Sequence, residues 1–169
     1  DNVIFQDTNR QNISDGQSEH QGIELELMQT LTPTLTTRLS GTYARHRYAN
    51  DITISQLVID GNDIDTAPRR IIQSSLEWRY APNASATLEA VHLSRYFLNP
   101  ENTETYNGHT LVNLRVSHPL TSRWELGLRI SNLTNSDYAE RADFAFGSER
   151  YFVGEPRSVY ISIQGHFSG

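Results

Sequence analysis

Cysteine is absent from the 169 residues, which excludes disulfides, thiolate metal sites and cysteine nucleophiles. No run of about 18 or more apolar residues occurs, so no transmembrane helix is encoded. Surplus basic charge is missing as well: 14 Lys+Arg stand against 20 Asp+Glu, for a net charge of −6 and a pI near 5.4. A nucleic-acid binder needs a concentrated basic face to release phosphate counterions, so that partner class is set aside. Helical periodicity is hard to find anywhere. A mean hydropathy of −0.53 would ordinarily indicate a soluble protein. A membrane barrel escapes that inference, because only alternate residues face lipid and its outer loops are polar.

What the chain has is period-two alternation. Ile23, Leu25 and Leu27 oppose Glu24 and Glu26, and Leu35–Arg47 alternates Leu35, Thr37, Leu39, Gly41 and Tyr43 with Thr36, Arg38, Ser40, Thr42 and Ala44. Ile72, Leu76, Trp78 and Tyr80 oppose Gln73, Ser75, Glu77 and Arg79. Val112, Leu114 and Val116 oppose Asn113, Arg115 and Ser117; Trp124, Leu126, Leu128 and Ile130 oppose Glu125, Arg129 and Ser131. The chain closes with Val159, Ile161, Ile163 and Phe167 against Ser158, Tyr160, Ser162, Gln164 and His166. Counting Val3–Gln6, the pattern predicts about eight strands.

Connections of two lengths take turns. Tight turns at 31–34, 81–83 and 119–122 carry Pro, Asn and Ser. Longer polar loops fall at about 7–19, 49–68, 99–107 and 135–155. Transmembrane barrels join strands this way, with short periplasmic turns and long extracellular loops. Trp78, Tyr80, Trp124, Tyr96, Phe97 and Phe167 near strand ends suit interfacial girdles, although aromatics are common in any strand. Arg38, Glu77, Arg79, Glu125 and Arg129 cannot face lipid cheaply and fit a wet lumen; by pattern alone they also fit the solvent face of a soluble sheet.

At Asn132-Leu133-Thr134-Asn135-Ser136-Asp137-Tyr138 a signature appears that resembles the element after the penultimate strand of TonB-dependent outer-membrane receptors. Gly154-Glu155-Pro156-Arg157, leading into the last alternating strand, resembles the family's C-terminal strand entry. Support comes from His20-Gln21-Gly22-Ile23-Glu24 and Ala67-Pro68-Arg69-Arg70. The resemblance covers nearly the whole chain. It implies an all-β, antiparallel transmembrane β-barrel, with residues 1–169 as the C-terminal strands of a larger plugged barrel of about 22 strands. The N-terminal plug is then absent. The chain opens at Asp1 without an initiator Met, a charged n-region or an apolar h-region, and the resemblance favours a piece of a longer polypeptide over a processed precursor.

The implied function is uptake of an iron–siderophore or similar chelate in the bacterial outer membrane, without catalysis. The implied partners are outer-membrane lipid, the chelate, the TonB complex acting through the missing plug, and the barrel-assembly machinery. Phe167 is the candidate assembly signal, although the family's terminal aromatic is its last residue and here Ser168 and Gly169 follow. Ligand contacts are expected on outer loops, with Tyr106, Phe144, Phe146, Arg150 and Tyr151 as candidates beside Asp143. The alternatives are a free-standing eight-stranded barrel with a structural or adhesive role, and a barrel enzyme, which would need a nucleophile and a base.

No cofactor or metal site is expected. The six histidines lack zinc-site spacing. Asp60-Gly61-Asn62-Asp63-Ile64-Asp65 lacks the later bidentate Glu of a calcium loop. No nucleophile elbow, phosphate loop or dinucleotide fingerprint occurs.

Overall fold

The computed structural model describes residues 3–6, 11–49, 53–54, 57–165 and 167. These residues form strands and turns and contain no helix. In chain order the strands are β1 (Val3–Gln6), β2 (Asn12–Gly16), β3 (Ser18–Thr32), β4 (Leu35–Tyr48), β5 (Thr53–Ile54), β6 (Leu57–Val58), β7 (Arg70–Ala81) and β8 (Ala84–Leu93). They continue with β9 (Tyr96–Phe97), β10 (Thr105–Tyr106), β11 (His109–Pro119), β12 (Trp124–Ser131), β13 (Ala139–Ala145), β14 (Ser148–Val153) and β15 (Ser158–Gly165).

Among the described residues, seven long strands make one antiparallel sheet in the order β15-β12-β11-β8-β7-β4-β3. Its edges, β3 and β15, do not pair with each other. The expected count of about eight included Val3–Gln6, which pairs with Asn12–Gly16 in a hairpin of its own. Three further hairpins, β5–β6, β9–β10 and β13–β14, occupy the long connections. All three connections, 49–68, 99–107 and 135–155, were expected as loops. Ser168 and Gly169, as well as His166, lie outside the described residues.

Register confirms the two faces. One row runs Thr37–Leu76–Leu88–Leu114–Ile130–Val159 across six strands. The next row down runs Thr36–Glu77–Thr87–Arg115–Arg129–Tyr160 on the opposite face. Ile23, Leu25, Val159, Ile161 and Ile163 are 58–74 % exposed, so the apolar face is not the core of a soluble sandwich. It is built to meet hydrocarbon. The polar face is concave, and Glu26, Arg38, Gln73, Glu89, Arg115 and Arg129 line a groove of about 500 Å³ on it.

At the short-turn end the aromatics gather as a girdle requires. Trp78 and Tyr80 lie 5.5 Å apart, Tyr80 stacks on His118 at 6.0 Å, and Phe167 meets Trp124 edge-on at 5.6 Å. Tyr96 does not join a girdle at the other end. It is buried under the loops, where its hydroxyl accepts from Ala142 N and donates to Ala142 O.

Candidate functional site

Nearly all buried side chains sit in the long connections rather than in the wall. Ile59 and Leu98 are the largest fully buried ones, joined by Tyr48, Tyr96, Ala139, Ala142 and Ala145. A loop with this much core is a structural layer. Leu98, Tyr96, Ala139 and Ala142 form its centre, with Leu93, Tyr106 and Phe144 packed around them.

Polar contacts knit the three connections together. Thr66 N donates to Phe97 O at 2.8 Å, and Phe144 N donates to Leu98 O at 3.0 Å. Asn102 and Asp63 exchange two bonds of 2.8 Å, Asp63 N to Asn102 Oδ1 and Asn102 Nδ2 to Asp63 O. The Asp63 carboxylate also accepts both arms of the Arg69 guanidinium at 2.8 Å. The acidic run 60–65 thus serves as a loop anchor; among the described residues no group of three or more acidic or histidine side chains is arranged to hold a metal.

The two signature segments lock onto each other. Asn132 is 2 % exposed and adopts φ +49°, a left-handed conformation that Asn tolerates better than most residues. Its amide donates to Ser136 O at 2.9 Å and Glu155 O at 3.3 Å, while Oδ1 accepts Ser136 N–H at 2.9 Å. Asn135 Oδ1 accepts Arg157 N–H at 3.2 Å, and Tyr138 OH accepts Glu155 N–H at 3.2 Å. Gly154 lies so close to the Tyr138 ring that a Cβ there would fall 2.1 Å from Cζ. The Asn, Tyr and Gly of the two motifs are therefore one turn-to-strand lock, fixing where β13–β14 leaves and rejoins the wall. Sequence reading found the motifs but not this joint role.

The candidate contact residues divide. Tyr106 OH accepts from Ala139 N at 3.0 Å, and Phe144 packs on the central cluster, so both are chiefly framework. Tyr151 lies with its ring 6.3 Å from Tyr106 and is half-exposed. Its hydrogen bond to Glu149 pushes its phenol up to about 12, so it stays a donor at neutral pH. Arg150 grips Asp143 with Nε at 2.7 Å and Nη2 at 2.9 Å, and Arg141 reaches the same carboxylate at 2.9 Å. Phe146 lies 69 % exposed at the tip of the β13–β14 hairpin. The structure thus joins Tyr106 to Tyr151 and Asp143 to Arg150, and leaves Phe146 outermost.

An antiparallel wall with a greasy outer face, a polar concave face, tight turns at one end and a bonded loop layer at the other defines part of a transmembrane β-barrel. The chain belongs to the family described as TonB dependent receptor-like, beta-barrel, whose model matches residues 1–133. No curated protein matches the chain in sequence. Among solved structures it resembles the ferric yersiniabactin uptake receptor FyuA from Yersinia pestis, at TM-score 0.77 and 20 % identity, over 90 % of this chain and 24 % of that one. It also resembles the siderophore receptor PiuA from Acinetobacter baumannii (0.75, 18 %, over 97 % and 24 %). The closed form of the ferric-catecholate import receptor Fiu from E. coli K12 is similar again (0.74, 16 %, over 97 % and 23 %). At such identities the likeness is one of fold. The chain spans about a quarter of the length of these structures. Relatives of this family are outer-membrane transport receptors.

Proposed function

We propose that the chain supplies the C-terminal wall and outer loops of a bacterial outer-membrane receptor that takes up an iron–siderophore or similar chelate in a TonB-dependent way, without catalysis. The observation that carries this reading is the internally packed, hydrogen-bonded loop layer at one end of a polar concave wall in a chain of this receptor family. A flexible loop would lose ordering entropy on capturing a solute, whereas a prefolded one presents its side chains in place. On this reading a plug, encoded N-terminal to these residues, sits against Arg38, Glu89, Arg115 and Arg129 and receives work from the TonB complex. Phe167, against Trp124 at the turn end, is read by the barrel-assembly machinery. Phe146, Tyr151 and Arg150 meet the chelate, with Tyr106 packed beside Tyr151 and Asp143 holding Arg150.

A free-standing small barrel would have to close β3 onto β15, which stand at opposite edges of an open seven-stranded sheet. That arrangement favours further strands between them. The deciding experiment uses the full-length protein. Its deletion under iron limitation should abolish uptake of one radiolabelled ferric chelate, and F146A/Y151A should weaken chelate binding about tenfold. Uptake indifferent to deletion of the receptor or of TonB, across a panel of ferric chelates, would sink the proposal.

A further inference from the structure

Strand register brings together two histidines that spacing along the chain keeps apart. His20 of β3 lies directly opposite His46 of β4, 26 residues further on. Both share the parity of Glu26 and Arg38, so they project onto the polar concave face. Six residues separate His20 from Glu26, about 20 Å of strand, which puts the pair at the long-connection end of the groove. The rings tilt by 57° with centroids 4.9 Å apart, and their Nδ1 atoms approach to 2.6 Å. Toward the groove, the next pair on this face is Gly22–Ala44, which sets no bulk in front of the rings. On the other side stands Ser18–Tyr48, with the Tyr48 hydroxyl turned to Asp65 at 2.7 Å.

Two imidazole nitrogens facing each other at that distance hold one proton between them, because one must donate and the other accept. A metal ion is the other species that both lone pairs can hold. At bond lengths of about 2.0–2.1 Å, tetrahedral or square-planar coordination sets two nitrogens about 2.9–3.4 Å apart, so the pair needs to open by less than about 1 Å. Ser18 Oγ lies 2.8 Å from His20 Nε2, the ring nitrogen turned away from His46. An outer hydrogen bond of that kind fixes the tautomer and orientation of a ligating histidine. We propose that His20 and His46 form a bidentate site for a divalent transition ion of the Zn²⁺, Cu²⁺ or Ni²⁺ class. The ion is held by both Nδ1 atoms in place of their shared proton, which passes to an Nε2, and water fills the remaining positions. Among the described residues no third acidic or histidine ligand completes the set, so the ion stays partly hydrated and open to the space enclosed by the wall. The barrel reading enters only through that enclosed space; the two ligands stand on strand register alone.

The test uses full-length protein in detergent micelles, without a histidine tag and stripped of metal by a chelator, with Cu²⁺ as the probe. The wild type should bind one equivalent of Cu²⁺ that H20Q and H46Q each lose. H92Q, which alters a histidine bonded to Thr110 on the outward face, should keep it. Pulsed EPR of that equivalent should show two imidazole nitrogens in the wild type and at most one in either variant. S18A should bind it about tenfold more weakly, and Zn²⁺ should compete for it where excess Ca²⁺ does not. Equal Cu²⁺ stoichiometry and affinity in the wild type and H20Q/H46Q, or displacement by Ca²⁺, would overturn the proposal. Heat-modifiable gel migration reports whether the variants fold; should they not, the wild-type spectrum decides, and a bound copper without an imidazole pair overturns the site. Chelate uptake indifferent to the receptor sinks the functional reading alone, whereas an unaltered copper titration removes the ion site and leaves uptake untouched.

Discussion

Replacing Asn132 by alanine separates the lock between the two signature segments into measurable parts. The substitution removes two amide donors, to Ser136 O and Glu155 O, and the acceptor for Ser136 N–H. Each lost bond to a poorly solvated backbone group is worth about 1 kcal/mol. Alanine must also hold φ +49°, which adds about 1 kcal/mol that asparagine mostly avoids. The longer 3.3 Å bond contributes least, so the sum is about 3 kcal/mol. The loss is local, because the lock joins the β13–β14 excursion to the wall without forming either. Amide hydrogen exchange over residues 132–157 of the full-length protein should accelerate roughly a hundredfold, while exchange in β11 and β12 changes little. Glycine at 132 loses the same bonds but relaxes the left-handed backbone, and should recover about 1 kcal/mol of the deficit. Unchanged protection in N132A would refute the hydrogen-bond argument; equal behaviour of N132G and N132A would refute the conformational one.

Ile161→Arg places charge on the middle of the outward row of β15 and should destabilise the inserted barrel by about 2–4 kcal/mol in bilayer unfolding titrations; a neutral effect would mean that this face meets water. Gly154→Ala drives a Cβ into the Tyr138 ring and should loosen the same loop by about 1–3 kcal/mol, an effect largely relieved in G154A/Y138A as judged by limited proteolysis. The hydrogen bond from Tyr160, aided by Ser158 and the Arg129 charge, holds the Glu155 carboxyl below its ordinary value of 4.5. Its contribution is therefore complete above that value and fades as acid titrates the folded carboxylate below it. Protection factors at residues 154–158, taken relative to the intrinsic exchange rate at each pH, should fall on acidification below about pH 4.5 in the wild type and stay flatter in E155Q; identical profiles would remove Glu155 from the account.

The wall was legible because a strand's faces follow from residue parity alone. Leu76, Leu114, Ile130 and Val159 fall into one register row as their alternation implied, with Leu88 of β8 between the first two. The Pro- and Asn-bearing turns were equally local. The loop layer was not legible, because its order depends on partners far apart in the chain. Nothing near Tyr96 announces that its hydroxyl will bond Ala142, 46 residues on. Aromatics in a polar loop suggest ligand contacts, yet Tyr106 and Phe144 spend much of their surface on the layer's own core. The Asn132 and Gly154 motifs could be recognised by type, but their geometry required the fold.

The molecule is stabilised in two different surroundings, and this shapes how it can vary. Wall side chains such as Ile161 and Leu25 have no protein partner on their outer side, so any sufficiently apolar residue serves there. The loop layer keeps its shape through specific bonds: Asp63 to Arg69, Asn102 to Asp63, Asn132 to Glu155. Losing one partner of such a pair leaves the other unsatisfied, a larger penalty than trimming a lipid-facing methyl group. On the proposed chelate-binding reading, contact side chains can therefore change freely only where they hang outside that network, as Phe146 would at the hairpin tip, while the anchors beneath must stay. Under the proposed function, a loop set anchored in this way would shift its choice of solute by altering a few exposed residues without refolding the wall that carries it.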